Sequence, residues 1–290
     1  MIDYEYIKPA NLEEVFTLLK EHGSKATLIA GGTDVMVKIR NTRKAPEVLI
    51  SLRGLKELAY IRKNGDYHIG ALTTHRMLEQ SDLVEKELTA LHEGASRIGS
   101  VQVRNVATLA GNICNAAPSA DTAGPLLALD AQILLKGPDG ERIVPITEFF
   151  TGTYRTVCQK TEVVTEIRLP AGMAAFGSAY WKQSRRKAMN LPIVGIAVSV
   201  KMEEDIVSDC RIALVVAAPT PVRAYRAEEF LRGKSLDDTV LAEAGRIAAS
   251  TECCTLRDSL RGEAWYRGEI IEAYVPRMAW LAAQRTKDNA

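Results

Sequence analysis

Apolar residues recur at helical spacing at Leu12, Val15, Phe16, Leu18 and Leu19, which puts one apolar stripe along a helix. Asn11 can cap its first turn, Glu14 stands at the capping-box position, and Gly23 ends it. The period then gives way to a continuous apolar run, 26–30, of the length of a buried strand. Gly31-Gly32-Thr33-Asp34 follows as a turn, then a short element at 35–39 and a second strand at 47–52. Segments 60–62 and 67–70 flank Lys63-Asn64-Gly65-Asp66, whose Asn-Gly pair is a hairpin signal. The second of them runs into Gly70-Ala71-Leu72-Thr73-Thr74, again a strand ending in small and hydroxylic residues.

Helical patterns fill 76–80 and 84–98, and 101–106 leads into Thr108-Leu109-Ala110-Gly111-Asn112-Ile113-Cys114-Asn115-Ala116-Ala117-Pro118-Ser119-Ala120-Asp121. A short buried helix is expected at 125–129. Segments 131–136 and 142–145 form a second hairpin about Gly137-Pro138-Asp139-Gly140, and a strand at 163–169 is closed by Pro170. After 171–175 the character changes. Three strands, 178–183, 193–202 and 209–216, precede three helices at 226–231, 239–250 and 265–283. Residues 235–238 match a capping box before the middle helix, and 285–290 read as a polar tail. The class is α+β. We expect an N-terminal domain over 1–175, in lobes of roughly 1–55 and 56–175, and a C-terminal domain over 176–290 with a three-stranded antiparallel sheet and helices.

Composition narrows the partners. The formal charge of +1 over 290 residues gives no basic surface for nucleic acid. No apolar run reaches the ~18 residues of a membrane span. Met1-Ile2-Asp3-Tyr4-Glu5-Tyr6 lacks the basic start and apolar middle of a secretory signal, so a cytoplasmic location is expected. Cys114, Cys158, Cys210, Cys253 and Cys254 form no C-x-x-C pair and have no zinc or iron–sulfur spacing, and Cys253-Cys254 reads as two neighbouring buried thiols. Any iron–sulfur chemistry therefore belongs to another chain.

The candidate chemistry lies in two loops. Gly31 and Gly32 can turn sharply and aim N–H groups at a pyrophosphate, with the Thr33 hydroxyl beside them. Asp34 would repel a phosphate, so it either orders the loop or meets a ribose. Neither the dinucleotide fingerprint nor the P-loop is present, and a plain Gly-Gly turn offers the same residues. In the longer stretch, Thr108, Gly111 and Asn112 can donate hydrogen bonds and Asp121 can accept from a ribose hydroxyl; an ordered structural loop accounts for the same composition. His75 reads as a surface or helix-start histidine. Arg185-Arg186-Lys187 suits an anionic acceptor such as NAD or a solvated turn.

Ala30-Gly31-Gly32-Thr33-Asp34, Gly70-Ala71-Leu72-Thr73-Thr74 and Thr108-Leu109-Ala110-Gly111-Asn112 with Asp121, in this order and spacing, resemble the FAD-binding medium subunit of the molybdenum hydroxylases. That family includes xanthine dehydrogenase, aerobic carbon monoxide dehydrogenase and nicotinate dehydrogenase. Trp181-Lys182-Gln183-Ser184-Arg185-Arg186 and the C-terminal part are similar to it too, so the likeness covers nearly the whole chain. The resemblance implies a two-lobed FAD domain of the vanillyl-alcohol-oxidase/MurB type. It implies that Leu28, Ile29, Ala30, Gly31, Gly32, Thr33, Asp34 and Val35 wrap the FAD pyrophosphate, and that Thr108, Ala110, Gly111 and Asn112 form the other half of that cradle. Asp121 would hold the ribose or adenosine end, Ile98 would lie near adenine, Val164 would pack on the isoalloxazine, and Lys182 would sit close to the flavin ring.

The resemblance further implies electron transfer between partners: a large molybdopterin-binding subunit hydroxylates substrate, a small [2Fe-2S] subunit relays electrons to this FAD, and NAD+ or another carrier receives them. No acid/base pair or nucleophile triad is evident in this chain. Ala110 stands where many relatives have glycine, and Leu191 where some carry an aromatic residue on the flavin. The cysteine-rich insertion of benzoyl-CoA-type members is missing. A standalone FAD-dependent oxidoreductase of the same fold, or a nucleotide-binding scaffold, are the other readings.

Overall fold

The computed structural model describes residues 3–288. The chain begins with β1 (Glu5–Ile7), α1 (Leu12–His22), β2 (Ala26–Ile29), α2 (Val35–Thr42) and β3 (Val48–Ser51), which form a parallel sheet in the order β1-β3-β2. Asn11 caps α1 as its sequence position suggests, its Oδ1 accepting the Glu14 N–H at 2.9 Å, while Glu14 accepts from the Ala10 N–H at 2.7 Å. Val15, Phe16 and Leu19 of α1 bury against Val48 and Ile50. β1 was not foreseen: it has three residues, two of them exposed, too few to make an alternation.

The middle of the chain builds a second sheet, antiparallel, in the order β4-β5-β10-β6-β7. Its strands are β4 (Ile61–Asn64), β5 (Asp66–Gly70), β6 (Gln132–Gly137), β7 (Gly140–Pro145) and β10 (Val163–Leu169), with a small hairpin of β8 (Phe150–Gly152) and β9 (Arg155–Thr156). Both predicted hairpins turn at a glycine of positive φ, Gly65 at 68° and Gly140 at 126°. Between β5 and β6 run short helices: α3 (His75–Glu79), α4 (Asp82–Glu87), α5 (Thr89–Ser96), α6 (Val101–Arg104), α7 (Leu109–Cys114) and α8 (Ala123–Ala128); α9 (Ile146–Phe149) follows β7. The single helix read over 84–98 is two helices that break at Leu88, whose ψ of 45° departs from helix. Its buried side chain is held by the core, overriding a continuous apolar pattern.

The last sheet is β11 (Gly177–Gln183), β12 (Val194–Glu203), β13 (Ile206–Val215) and β14 (Val222–Arg223), antiparallel throughout. It has four strands rather than the expected three, because two residues after Pro221 add an edge too short to leave a sequence signal. α10 (Tyr225–Leu231), α11 (Asp238–Ala248) and α12 (Ala264–Asp288) complete the chain. Asp237, not Ser235, caps α11, its Oδ1 accepting the Val240 N–H at 2.8 Å.

β12 is apolar at nearly every position because both its faces are covered. Ala197, with Ala213 and Tyr180 on its neighbours, joins the core beneath α5 and α8, whereas Ile196, Val198, Ile212 and Leu214 pack against the layer of α11 and α12. Small side chains on the first face let α8 come close: the Ser199 hydroxyl donates to the Ala128 carbonyl at 2.6 Å.

His75, at the start of α3, is fully buried, and neither ring nitrogen has a hydrogen-bond partner among the described residues. Burial, aided by the Arg104 guanidinium, pushes its pKa down to about 3. A base whose folded pKa is depressed stabilises the fold above its unfolded pKa of 6.5, and that contribution is lost as pH falls from 6.5 towards 3. We therefore predict that His75→Leu flattens the stability profile across that window, by a slope approaching about 1.4 kcal/mol per pH unit. Urea midpoints at pH 4.5 and pH 7 measure it; parallel profiles for the two proteins would refute it.

Candidate functional site

β2 ends at Ile29, and the chain turns through Ala30-Gly31-Gly32-Thr33-Asp34 into α2. The backbone N–H groups of Gly31, Gly32, Thr33, Asp34 and Val35 have no acceptor among the described residues. Five consecutive free donors at the start of an eight-residue helix make a concave, electropositive wall suited to a diphosphate. The Thr33 hydroxyl is likewise unpartnered. Asp34 is exposed and its side chain makes no capping bond to α2. Leu28, Ala30 and Val35 are half-buried and pack on the first sheet; Ile29 is buried with Ile39 and Leu49.

The loop is set by backbone contact. A Cβ built on Gly31 would lie 2.0 Å from the Val106 carbonyl oxygen and 2.8 Å from the Ala107 Cα, so this position has room only for hydrogen. Gly32 follows at a φ of 78°. Segment 106–108 is itself clamped on the other side. The His75 N–H donates to the Ala107 carbonyl at 3.0 Å, the Leu109 N–H to the Thr73 carbonyl at 2.9 Å, and Thr74 pairs with Thr108. All three small-residue loops of the sequence thus meet at one place.

The second loop offers fewer donors than its composition suggests. The Thr108 hydroxyl caps α7 by accepting the Gly111 N–H at 3.1 Å, and the Asn112 N–H goes to the Thr108 carbonyl at 3.0 Å. The Asn112 side chain accepts from the Thr122 hydroxyl at 2.7 Å. Among the described residues, the donors of this stretch without an acceptor include the Thr108 and Ala110 N–H groups, the Ala117, Ser119 and Asp121 N–H groups of the loop after α7, and the Asn112 side-chain NH2. Ala110 at this helical position needs no glycine backbone angle, and its methyl joins the core.

Asp121 and Lys182 come from sequence positions far apart and form one buried ion pair. Lys182 Nζ lies 2.6 Å from Asp121 Oδ2 and donates also to the Arg97 carbonyl at 3.0 Å. The Tyr180 hydroxyl donates to Asp121 Oδ1 at 2.9 Å. Burial pushes the Asp121 carboxyl up, against the opposing pull of Lys182 and Tyr180; the same burial pushes the Tyr180 phenol well up. An ammonium has three protons, so one Lys182 N–H stays available, and each Asp121 oxygen keeps a second lone pair for a hydroxyl. Tyr180 was missed by sequence reasoning. Its only signal was a large polar aromatic opposite the small residues Gly124 and Gly195, whose added Cβ atoms would lie 3.7 and 2.6 Å from it.

Ile98 lies at the rim beside Gly99, whose carbonyl accepts the Met189 N–H at 3.1 Å, tying the β11–β12 loop over this end of the crevice. Val164, on β10 at a β-bulge, is buried in the core with Ile113 and Ala110. The free donors lie at one end of the site and the Asp121–Lys182 pair at the other, the two joined through α7 and the loop after it. A free N–H wall with hydrogen-only clearance at Gly31 fits a dinucleotide's pyrophosphate.

The fold and this donor wall define an FAD-binding α+β protein. Residues 2–172 match the family described as FAD binding domain in molybdopterin dehydrogenase, and 179–282 match the CO dehydrogenase flavoprotein C-terminal domain. The chain belongs to this family, the FAD-binding medium subunits of the molybdenum hydroxylases. It is 35% identical to the carbon monoxide dehydrogenase medium chain of Hydrogenophaga pseudoflava over 94% of this chain and 95% of that one. It is also 35% identical to the xanthine dehydrogenase FAD-binding subunit of Escherichia coli O157:H7, over 82% of each. Among solved structures, carbon monoxide dehydrogenase from H. pseudoflava superposes with a TM-score of 0.92 at 36% identity, covering 97% of this chain and 98% of that one. Quinoline 2-oxidoreductase from Pseudomonas putida 86 superposes at 0.91 with 27% identity, over 98% of each.

Two substitutions test the geometry. Gly31→Ala has to displace the Val106 backbone, and we expect destabilisation of at least about 1–3 kcal/mol by denaturant titration together with loss of bound flavin absorbance. Unchanged stability would show that the loop does not press on Val106. Asp121→Asn leaves the Lys182 ammonium buried without a counter-charge, at a cost of about 3–5 kcal/mol. The Asp121→Asn/Lys182→Met pair should cost less than the sum of the single variants; additive costs in a double-mutant cycle would exclude direct coupling.

Proposed function

We propose that this chain is the FAD subunit of a multi-subunit molybdenum-containing hydroxylase or dehydrogenase. It takes electrons from a small [2Fe-2S] subunit, fed by a large molybdopterin-binding subunit, and passes them to NAD+ or another acceptor. The observation that carries the reading is the run of five unpartnered N–H groups from Gly31 to Val35. Such a wall holds a pyrophosphate without any lysine or arginine. Residues 1–175 would carry the cofactor and 176–290 would close over its reactive end. Relatives that are themselves called medium chains and FAD-binding subunits support a place in a larger assembly.

Bound FAD supplies the chemistry, accepting electrons singly and releasing them as a pair. The protein's part is to bind, orient and tune it. Gly31, Gly32, Thr33 and the Ala110 N–H grip the diphosphate, with Leu28, Ile29, Ala30 and Val35 as the apolar bed beneath the turn. Asp34 would meet a ribose hydroxyl, and Asp121, in contact with Lys182, would serve the same end of the cofactor as that lysine. Thr108 shapes the second wall by capping Gly111, and Asn112 keeps its side-chain NH2 without a partner among the described residues. Ile98 would serve the adenine side and Val164 the isoalloxazine, each with only the edge of a buried side chain. Lys182 holds a positive charge fixed by Asp121 and the Arg97 carbonyl, where electron density added to the cofactor is stabilised. All five cysteines are free thiols, in keeping with a reducing cytoplasm.

The test is to purify the native assembly and record its flavin, iron and molybdenum together with the chains that accompany this one. We expect about one FAD per copy of this chain and two further chains, one carrying iron and one molybdenum. Turnover of a small organic substrate by this chain alone would instead establish a standalone oxidoreductase, and a native chain without flavin absorbance would overturn both.

A further inference from the structure

Two thiols from distant parts of the chain face each other. Cys114 is the last residue of α7 and is exposed; Cys158 follows β9 and is half-buried. The segments that carry them are pinned together nearby, where the Tyr154 N–H donates to the Ala116 carbonyl at 2.9 Å. Tyr154 is held at a φ of 58° to do so, a left-handed conformation that persists in a non-glycine residue only where the surroundings impose it. The Cys114 S–H is within hydrogen-bonding reach of the Cys158 sulfur.

The surroundings of Cys158 are those of a reactive cysteine. Its sulfur accepts from the Cys114 S–H and from the Thr156 hydroxyl, and its own N–H is fixed on that hydroxyl at 3.3 Å. The Arg142 guanidinium stands beside it, donating to the Val157 carbonyl at 3.1 Å and to Glu162 at 2.7 and 2.9 Å. Glu162 offsets the Arg142 charge, so hydrogen bonds rather than net charge favour the thiolate. The Cys114 bond, helped by Thr156 and Arg142, holds the Cys158 thiol below its usual range, against burial and Glu162; the same bond, with burial, pushes Cys114 well up. The other thiols differ. Cys210 donates to the Glu228 carbonyl at 3.4 Å and Cys254 to the Ser250 carbonyl at 3.3 Å, and burial pushes them up to about 12 and about 11. Cys253 is buried beside Cys254.

We propose that Cys114 and Cys158 are a modification site, a dithiol that a hydroperoxide oxidises to a disulfide, with Cys158 as the attacking sulfur and Cys114 as the resolving one. The Cys158 thiolate attacks hydrogen peroxide; an S–O bond forms, the O–O bond breaks, and the departing hydroxide takes up the thiol's proton as water. The Cys114 sulfur then displaces the hydroxyl of the Cys158 sulfenic acid. An S–S bond forms, the S–O bond breaks, and the hydroxide leaves as a second water with the Cys114 proton. The two sulfurs lose two electrons and the peroxide gains them. Exposure of Cys114 lets a small oxidant, and later a reducing thiol, reach the pair. Among the described residues no group of three His, Cys, Asp or Glu gathers as a metal cage, so the pair lacks the further ligands of a zinc site. The product fastens the C-terminal end of α7, two residues past Asn112, to the segment after β9.

The experiment exposes the native assembly to hydrogen peroxide, alkylates the remaining thiols under denaturing conditions without reductant, and maps this chain by peptide mass spectrometry. We expect a linked Cys114–Cys158 peptide that forms at least about tenfold faster than Cys210, Cys253 or Cys254 is oxidised, and that dithiothreitol separates again. Cys114→Ser should accumulate a Cys158 sulfenic acid that dimedone traps, whereas Cys158→Ser should leave Cys114 a thiol. A wild-type chain in which both stay thiols overturns the proposal, whatever the variants do. So does oxidation spread evenly over all five cysteines, or dimedone capture at Cys114 in the Cys158→Ser chain at the rate seen for Cys158.

Discussion

The crevice depends on one backbone-to-backbone approach. Gly31 presses against the Val106 carbonyl with clearance for hydrogen alone, and every donor of the first loop takes its position from that contact. The contact joins the parallel sheet at the N-terminus to the helical region beyond β5. It is therefore both a packing constraint and a functional one. Among the described residues the N–H groups of Gly31 to Val35 stay free: the loop packs against segment 106–108, whose Val106 carbonyl meets Gly31 without accepting any of them. Leaving five donors unpartnered is unfavourable unless water or an anion satisfies them. That is the physical sense in which the loop is built for a ligand.

The opposite end of the site is organised by a different force. Asp121, Lys182 and Tyr180 place a carboxylate, an ammonium and a phenol in one enclosed spot where the helical region meets β11. Further ionic links lie along that junction: Asp130 with Arg211 at 2.9 Å and with Arg223 at 3.4 Å, and Arg285 with Glu93 at 2.7 Å. Buried pairs of this kind contribute more to fixing geometry than to net stability, because desolvation offsets much of their attraction. Here the fixed geometry holds the Lys182 charge at the rim of Ile98 and Gly99. The loop carrying Met189 meets Gly99 there, and its Arg185 reaches the Leu260 carbonyl ahead of α12 at 3.4 Å.

Much of this was legible along the chain, since the local signals were strong. Asn11 with Glu14, Asn64-Gly65 and Gly137-Pro138-Asp139-Gly140 mark a cap and two turns by chemistry that acts within a few residues. The three small-residue loops stood out by composition, and their spacing was enough to resemble a family. Less visible were β1 and β14, which exist only because neighbouring strands offer them an edge. The break at Leu88 and the cap at Asp237 depend on which of several compatible residues the packing selects.

The sequence by itself thus determined the α+β class, most helices and strands, and which loops carry donors. Periodicity, capping and turn chemistry are short-range properties written in adjacent residues. Tertiary structure alone decided which donors remain free. Composition could not show that Thr108 takes the Gly111 N–H for a cap, or that Asn112 accepts from Thr122. Nor could it show that Asp121 meets Lys182 sixty-one positions later. Those outcomes depend on contacts between segments distant in the chain, set by how the three sheets pack.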